Sequence, residues 1–173
     1  MGGTIEVESE EGKGTRFIMK FSFPVSLENQ VREKEKQNIP DITEKLKGKR
    51  ILLAEDNDLN AEIAETVLVE AGIEVKRVED GLQCIEELKK MPENYYDVIL
   101  MDVQMPNMDG YTATQRIRDL DDSRAEIPII AMTANAYDED RRKAQEAGMD
   151  GFLAKPLDVD EMMRLLGKIT KTE

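Results

Sequence analysis

The sequence contains no histidine, no tryptophan and a single cysteine among its 173 residues. Without imidazole there is no histidine ligand for zinc and no Ser–His or Cys–His catalytic pair. Any phosphohistidine chemistry must therefore draw its histidine from another protein. One cysteine, Cys84, allows no internal disulfide, which fits a reducing, cytoplasmic setting. With no base to activate it, Cys84 reads as a packing residue. No apolar run approaches the ~20 residues that cross a bilayer, and no signal-peptide core follows Met1. A myristoylation reading of Met1-Gly2 fails because Glu6 stands where Ser or Thr is required. Positive charge is also scarce. Lys and Arg total 24 against 37 Asp and Glu, a net charge of −13. Nonspecific nucleic-acid binding through a basic face is excluded on that balance. Neither nucleotide fingerprint, G-x-x-x-x-G-K-[ST] nor G-x-G-x-x-G after a strand, is present.

What is present divides into three stretches. In residues 1–25, Thr4–Glu8 alternates with period two, Ser9–Gly14 is a polar turn, and Phe17, Met19, Phe21 and Phe23 alternate again before Pro24. This is a β-hairpin signal, marginal in isolation. Residues 26–48 are mostly charged and are broken by Ile39-Pro40-Asp41, which reads as a linker with some helix.

From residue 49 short apolar runs alternate with amphipathic segments. Strands are expected over 50–54, 73–78, 97–101, 128–132 and 151–154, and helices over about 58–71, 80–91, 110–120, 136–147 and 158–170. The apolar side of the first helix is expected to carry Leu59, Ile63, Val67 and Leu68. That of the second should carry Leu82, Ile85 and Leu88, and that of the last Val159, Met162, Met163, Leu166 and Ile169. Five βα units predict an α/β fold: a five-stranded, parallel, doubly wound sheet of order 2-1-3-4-5, flavodoxin-like, with helices on both faces.

Ligands of such sheets bind beyond the carboxyl ends of the strands. Those ends carry Glu55 and Asp56, then Asp102, then Thr133, then Lys155. Taken singly, each has a bland reading: Asp56 as a helix N-cap, Thr133 as a loop cap, Lys155 as a surface residue. Together they place three carboxylates, a hydroxyl and an ammonium at one rim. The carboxylates repel and raise one another's pKa values, a conflict that a hard divalent cation such as Mg²⁺ removes. Mg²⁺, lysine and a hydroxyl around one carboxylate suit phosphoryl transfer, with Asp102 as the candidate nucleophile.

The stretches ILLAEDN, YDVILMDVQMPNMDG, PIIAMTA and FLAKP, in this order and spacing, resemble those of response-regulator receiver domains. The resemblance covers residues 49–173. It implies that Asp102 is the phosphoacceptor, that Glu55, Asp56 and Asp102 with the Gln104 backbone carbonyl hold Mg²⁺, and that Thr133 and Lys155 contact the phosphoryl group. It implies a switch in which Thr133 moves toward the phosphate and the Phe152 ring turns inward. That switch would alter the face formed by helix four, strand five and helix five. Gln104 and Asn135 match positions that tune dephosphorylation, and the Lys155–Pro156 bond matches a position that is usually cis. The implied partner is a phosphohistidine donor, either a histidine kinase or a histidine phosphotransfer domain. Such a domain catalyses its own phosphorylation and dephosphorylation, and the chain lacks kinase motifs.

The stretch MGGTIEVESEEGKGTRFIMKFSFP resembles the C-terminal end of the histidine-kinase ATPase domain, in which Met1 also fits as an internal residue. The whole then reads as the C-terminal piece of a hybrid histidine kinase whose parent is membrane-anchored or cytoplasmic. With no DNA-binding segment after residue 171, the expected output is a phosphorelay or a partner contact. Dimers through the helix four–strand five–helix five face, or through the hairpin's unpaired edges, are the expected self-association modes. Two rivals stand beside the phosphoacceptor reading. One is a pseudo-receiver that only docks. The other is an aspartyl-nucleophile phosphatase, disfavoured because Gln104 stands where such enzymes carry an acidic residue.

Overall fold

A computed structural model describes residues 3–10, 12, 14–21, 39–134 and 138–170. The chain divides into two units, residues 1–35 and 36–173. In the first, β1 (Gly3–Glu10) and β2 (Gly14–Phe21) pair antiparallel. The connecting turn uses two glycines at positive φ, Gly12 at 79° and Gly14 at 100°. Ile5 lies opposite Met19 and Val7 opposite Phe17. Strand alternation puts all four on one face, where each is between 57% and 66% exposed. Residues 22–25 of the expected hairpin and 26–38 of the expected linker lie outside the described residues.

The second unit opens with α1 (Ile39–Leu46) and continues β3 (Arg50–Ala54), α2 (Asp58–Glu70), β4 (Glu74–Val78), α3 (Gly81–Lys90), β5 (Val98–Asp102) and α4 (Gly110–Arg118). A short 3₁₀ turn (Ser123–Glu126) precedes β6 (Ile129–Thr133), α5 (Asp138–Ala147), β7 (Gly151–Ala154) and α6 (Val159–Ile169). The five strands β3 to β7 are parallel, in the spatial order β4-β3-β5-β6-β7. Counted from β3, this is the expected 2-1-3-4-5.

Burial explains why β5 and β6 read as unbroken apolar runs. All five residues of each are buried, because both sheet faces are covered. On one face Leu52, Ile99, Met101 and Ile129 pack with Cys84, Leu88, Ala113, Ile117 and Ala144 of α3, α4 and α5. On the other, Ile51, Leu53, Leu100 and Ile130 pack with Leu46, Leu68, Met162 and Leu166 of α1, α2 and α6. Among the described residues no helix is long and apolar enough to cross a membrane.

Four details depart from the sequence reading. Residues 39–46 form the helix that the 26–48 linker was expected to contain in part, but they belong to the second unit and pack into its core. Leu46 is fully buried, and Ile42 sits so close to Gly167 of α6 that a Cβ there would lie 2.7 Å from its Cγ2. Pro40, read as a breaker, occupies the first helical turn, where its missing N–H has no helical partner to lose. Finally, α2 turns Ala61, Ala64 and Leu68 inward and leaves Leu59 65% and Ile63 49% exposed. Alanines at the contact let the helix approach the sheet closely, a preference that a count of large apolar residues does not register. Leu82 and Val159, also expected in the core, are each 43% exposed.

Candidate functional site

Asp102 is the last residue of β5, with its backbone paired to Met132 of β6. The strand carries the carboxylate to the carboxyl rim, where it is 5% exposed. Its Oδ1 accepts the Gln104 backbone N–H at 3.1 Å, and its Oδ2 accepts Lys155 Nζ at 2.7 Å. Lys155 also donates to Glu55 Oε2 at 2.6 Å, so one ammonium bridges two buried carboxylates. Lys155 therefore has no bland surface role; its side chain is 17% exposed. Its backbone N–H donates to the Thr133 carbonyl at 2.7 Å, tying the end of β7 to the end of β6. The Lys155–Pro156 bond that follows is cis.

Glu55 is fixed from its other side. Its Oε1 accepts from the Asn57 backbone N–H at 3.3 Å and from Asn60 Nδ2 at 3.1 Å. Asn57, not Asp56, is the N-cap of α2, accepting from the Asn60 N–H. The Asp56 carboxylate is thus exposed and does not cap the helix. Carboxylate oxygens of Glu55, Asp56 and Asp102 lie within 4.8 Å of one another. An all-oxygen set of this size and charge fits a hard divalent cation.

Burial raises the Asp102 pKa above the usual aspartate value, and Glu55 adds to the rise. The hydrogen bonds from Lys155 and from Gln104 oppose it without cancelling it. For Lys155, burial alone would lower the pKa, but the bonds to Asp102 and Glu55 prevail and raise it. The lysine therefore stays charged beside an aspartate that resists ionisation.

Thr133 ends β6, is buried, and borders an open cleft of about 530 Å³ with Gln104, Asp109, Tyr111, Asp140 and Lys143. Phe152 of β7 is half-buried, and the Arg141 guanidinium of α5 stacks 4.3 Å from its ring centroid. Asn135 lies outside the described residues. A second cavity, of about 460 Å³, sits at the opposite end of the sheet. Of its charged residues, Lys49 pairs with Asp97 and Arg124 with Asp122. Cys84 is fully buried, and burial pushes its thiol up to about 12, in keeping with a packing role.

The sequence reading missed the groups that hold the site. Asn57 and Asn60 orient Glu55, and Arg141 covers Phe152. Asp80, which N-caps α3, reaches Asn107 in the loop after β5. Asn57 and Asp80 each stand just before a helical pattern, where N-cap chemistry could have flagged them. The contacts of Arg141 and Asn107 have no local sequence signal.

The model of the response regulator receiver domain family matches residues 51–167. The peroxide stress-activated histidine kinase mak1 of Schizosaccharomyces pombe is 40% identical over 124 residues, 70% of this chain and 8% of that protein. The sensor protein EvgS of Escherichia coli K12 is 35% identical over 171 residues, 98% of this chain and 13% of that protein. The chain thus spans a small part of the curated relatives it matches. Among solved structures, the receiver domain of the sensor histidine kinase PA1611 from Pseudomonas aeruginosa PAO1 has a TM-score of 0.65 and 41% identity. The match covers 71% of this chain and 98% of that one, which has a magnesium ion coordinated in its active-site cleft. The sheet order, the acidic rim with its bridging lysine and the family match agree: this chain belongs to the response regulator receiver domain family.

Proposed function

We propose that this chain is the phosphoacceptor receiver segment of a hybrid histidine kinase, acting in a two-component phosphorelay. The observation that carries the proposal is one buried carboxylate, Asp102, held at a strand end by Lys155 and facing two further acids. In this reading an Asp102 carboxylate oxygen attacks the phosphorus of a phosphohistidine on a partner protein. The new O–P bond makes an acyl phosphate, the P–N bond breaks, and its electron pair stays on the imidazole. Glu55, Asp56, Asp102 and the Gln104 carbonyl would hold Mg²⁺, which when bound supplies positive charge opposite the phosphoryl oxygens. Lys155 follows the developing charge by exchanging a carboxylate oxygen for a phosphoryl oxygen. Thr133, one strand over, offers a hydroxyl to the same group. Phe152 would respond by turning inward, changing the face built from α5, β7 and α6. Loss of the phosphoryl group by water attack, or its passage to a histidine phosphotransfer domain, would be tuned by Gln104 and Asn135.

The ATPase-domain reading of residues 1–25 rests on their sequence resemblance; the match to the sensor protein EvgS extends over 98% of the chain and so reaches into this stretch. The exposed apolar face of Ile5, Val7, Phe17 and Met19 is one that a strand pair packed against further structure would carry. We assign residues 49–173 to the receiver, place the segment in the cytoplasm, and propose self-association through the α5–β7–α6 face. A docking-only pseudo-receiver is the alternative, and the complete set of Glu55, Asp56, Asp102, Thr133 and Lys155 disfavours it.

The test is intact-protein mass after incubation with MgCl₂ and a small acyl phosphate. Wild type should gain one phosphoryl group and Asp102→Asn none. An unchanged wild-type mass, or labelling of Asp102→Asn at the wild-type level, rejects the assignment.

A further inference from the structure

We infer that Asp80 and Asn107 act together as positioning residues for the acidic site, fixing the loop that carries the Gln104 carbonyl. The inference rests on the proposed role of that carbonyl as a metal ligand. Neither residue touches the reacting groups.

Asp80 is 4% exposed, and its two oxygens do different work. Oδ1 accepts the Gln83 N–H at 2.8 Å, which completes the N-cap of α3. Capping needs no more than this. Oδ2 accepts Asn107 Nδ2 at 2.8 Å, across 27 residues of sequence, and more distantly Gln83 Nε2 at 3.4 Å. Asn107 sits in the left-handed region, at φ 58°, which Asn tolerates better than most residues. Beside this bond the Gly81 N–H donates to the Met108 carbonyl at 3.1 Å. A Cβ on Gly81 would lie 2.8 Å from that carbonyl and 2.7 Å from Ala113 Cβ, so the start of α3 is pressed against the loop.

The other end of the loop is fixed as firmly. The Val103 N–H donates to Met132, and the Val103 carbonyl accepts from Gly110. Gln104, Met105 and Pro106 are suspended between this anchor and the Asp80–Asn107 bond. A loop held at both ends presents the Gln104 carbonyl in one place. Released at Asn107, it keeps the Gln104 N–H to Asp102 and the Gly81–Met108 backbone bond but loses the side-chain tie that lies between them. The carbonyl then has to be ordered each time a cation binds, which lowers affinity.

The experiment is calorimetric titration of the full chain with MgCl₂, with urea unfolding run in parallel. Asn107→Asp sets two carboxylates face to face, and Asn107→Gly removes the amide while keeping the backbone conformation free. Each is expected to weaken Mg²⁺ binding about ten-fold. The exchange double variant Asp80→Asn/Asn107→Asp has the wild-type net charge and can remake the bond. The amide introduced at position 80 caps Gln83 through its carbonyl oxygen, while its NH₂ donates to the carboxylate introduced at position 107. Binding in the double variant should return to about the wild-type affinity. If Asn107→Gly binds Mg²⁺ as wild type does, the inference fails, and so it does if the folded double variant shows no recovery over Asn107→Asp. If wild type itself binds no Mg²⁺, the assignment of the site fails and the inference falls with it, an outcome distinct from the other two.

Discussion

Replacing Lys155 with methionine removes one charge from the site while keeping a side chain of similar length. The structure sets the size of the effect. Glu55 and Asp102 are 1% and 5% exposed, and both accept hydrogen bonds from this one ammonium. With Asp56, their carboxylate oxygens lie within 4.8 Å of one another. Two unit charges at that separation repel by about 3 kcal/mol at an effective dielectric constant of ~20. This matches the roughly 3–5 kcal/mol lost when one partner of a buried ion pair is removed. Urea unfolding of Lys155→Met at pH 7 without divalent cations should therefore show a loss of about 3 kcal/mol. The sign of the recovery follows from linkage. Without the lysine Asp102 loses the hydrogen bond that opposes the effect of its burial, so its pKa in the folded chain lies further above the unfolded value. The folded state then binds more protons, and stability rises as pH falls through that raised range. MgCl₂ should stabilise the variant more than wild type, because the cation relieves the same repulsion. A variant within about 1 kcal/mol of wild type, gaining nothing extra from acid or from MgCl₂, would refute the placement of Lys155 as the shared counter-ion.

Other consequences are open to measurement. Because burial holds Asp102 above the ordinary aspartate range, protons should compete with Mg²⁺ at a higher pH than they would at an exposed carboxylate. Calorimetry should show affinity falling on acidification, by up to about ten-fold per pH unit if one proton leaves per ion bound. A flat profile from pH 7 to the ordinary aspartate value would contradict this. Leu46→Ala should cost about 3 kcal/mol in urea unfolding, as befits a fully buried core leucine; a residue in a linker would cost nothing. On α2, Leu59→Ala and Ile63→Ala should each stay within about 0.5 kcal/mol of wild type, because both side chains are largely exposed. Leu68→Ala, on the buried side of the same helix, should cost about 3 kcal/mol.

The site was legible because strand-end residues in a parallel sheet converge at one rim whatever the details of packing. Glu55, Asp56, Asp102, Thr133 and Lys155 could be placed there from strand positions and a strand order. Less legible was which face each helix buries. In α2 the alanines at 61 and 64 face the sheet, because small residues allow close approach, while Leu59 and Ile63 point outward. Pro40 read as the end of a segment because proline's effect depends on its position within a helix. In the first turn it is harmless, and only the packing of Ile42 and Leu46 shows that a helix starts there.

The sequence by itself determined the alternation of strands and helices, the parallel sheet and the roster of groups at its rim. Those follow from local periodicity and from the chirality of the crossovers, which act on neighbouring residues. Tertiary structure alone decided how the roster is wired. Lys155 meets Glu55 across 100 residues and Asp102 across 53, and Asp80 meets Asn107 across 27. Hydrogen-bond partners at such separations are chosen by the packed fold, where each buried polar group must find whatever donor or acceptor the neighbouring elements bring within reach.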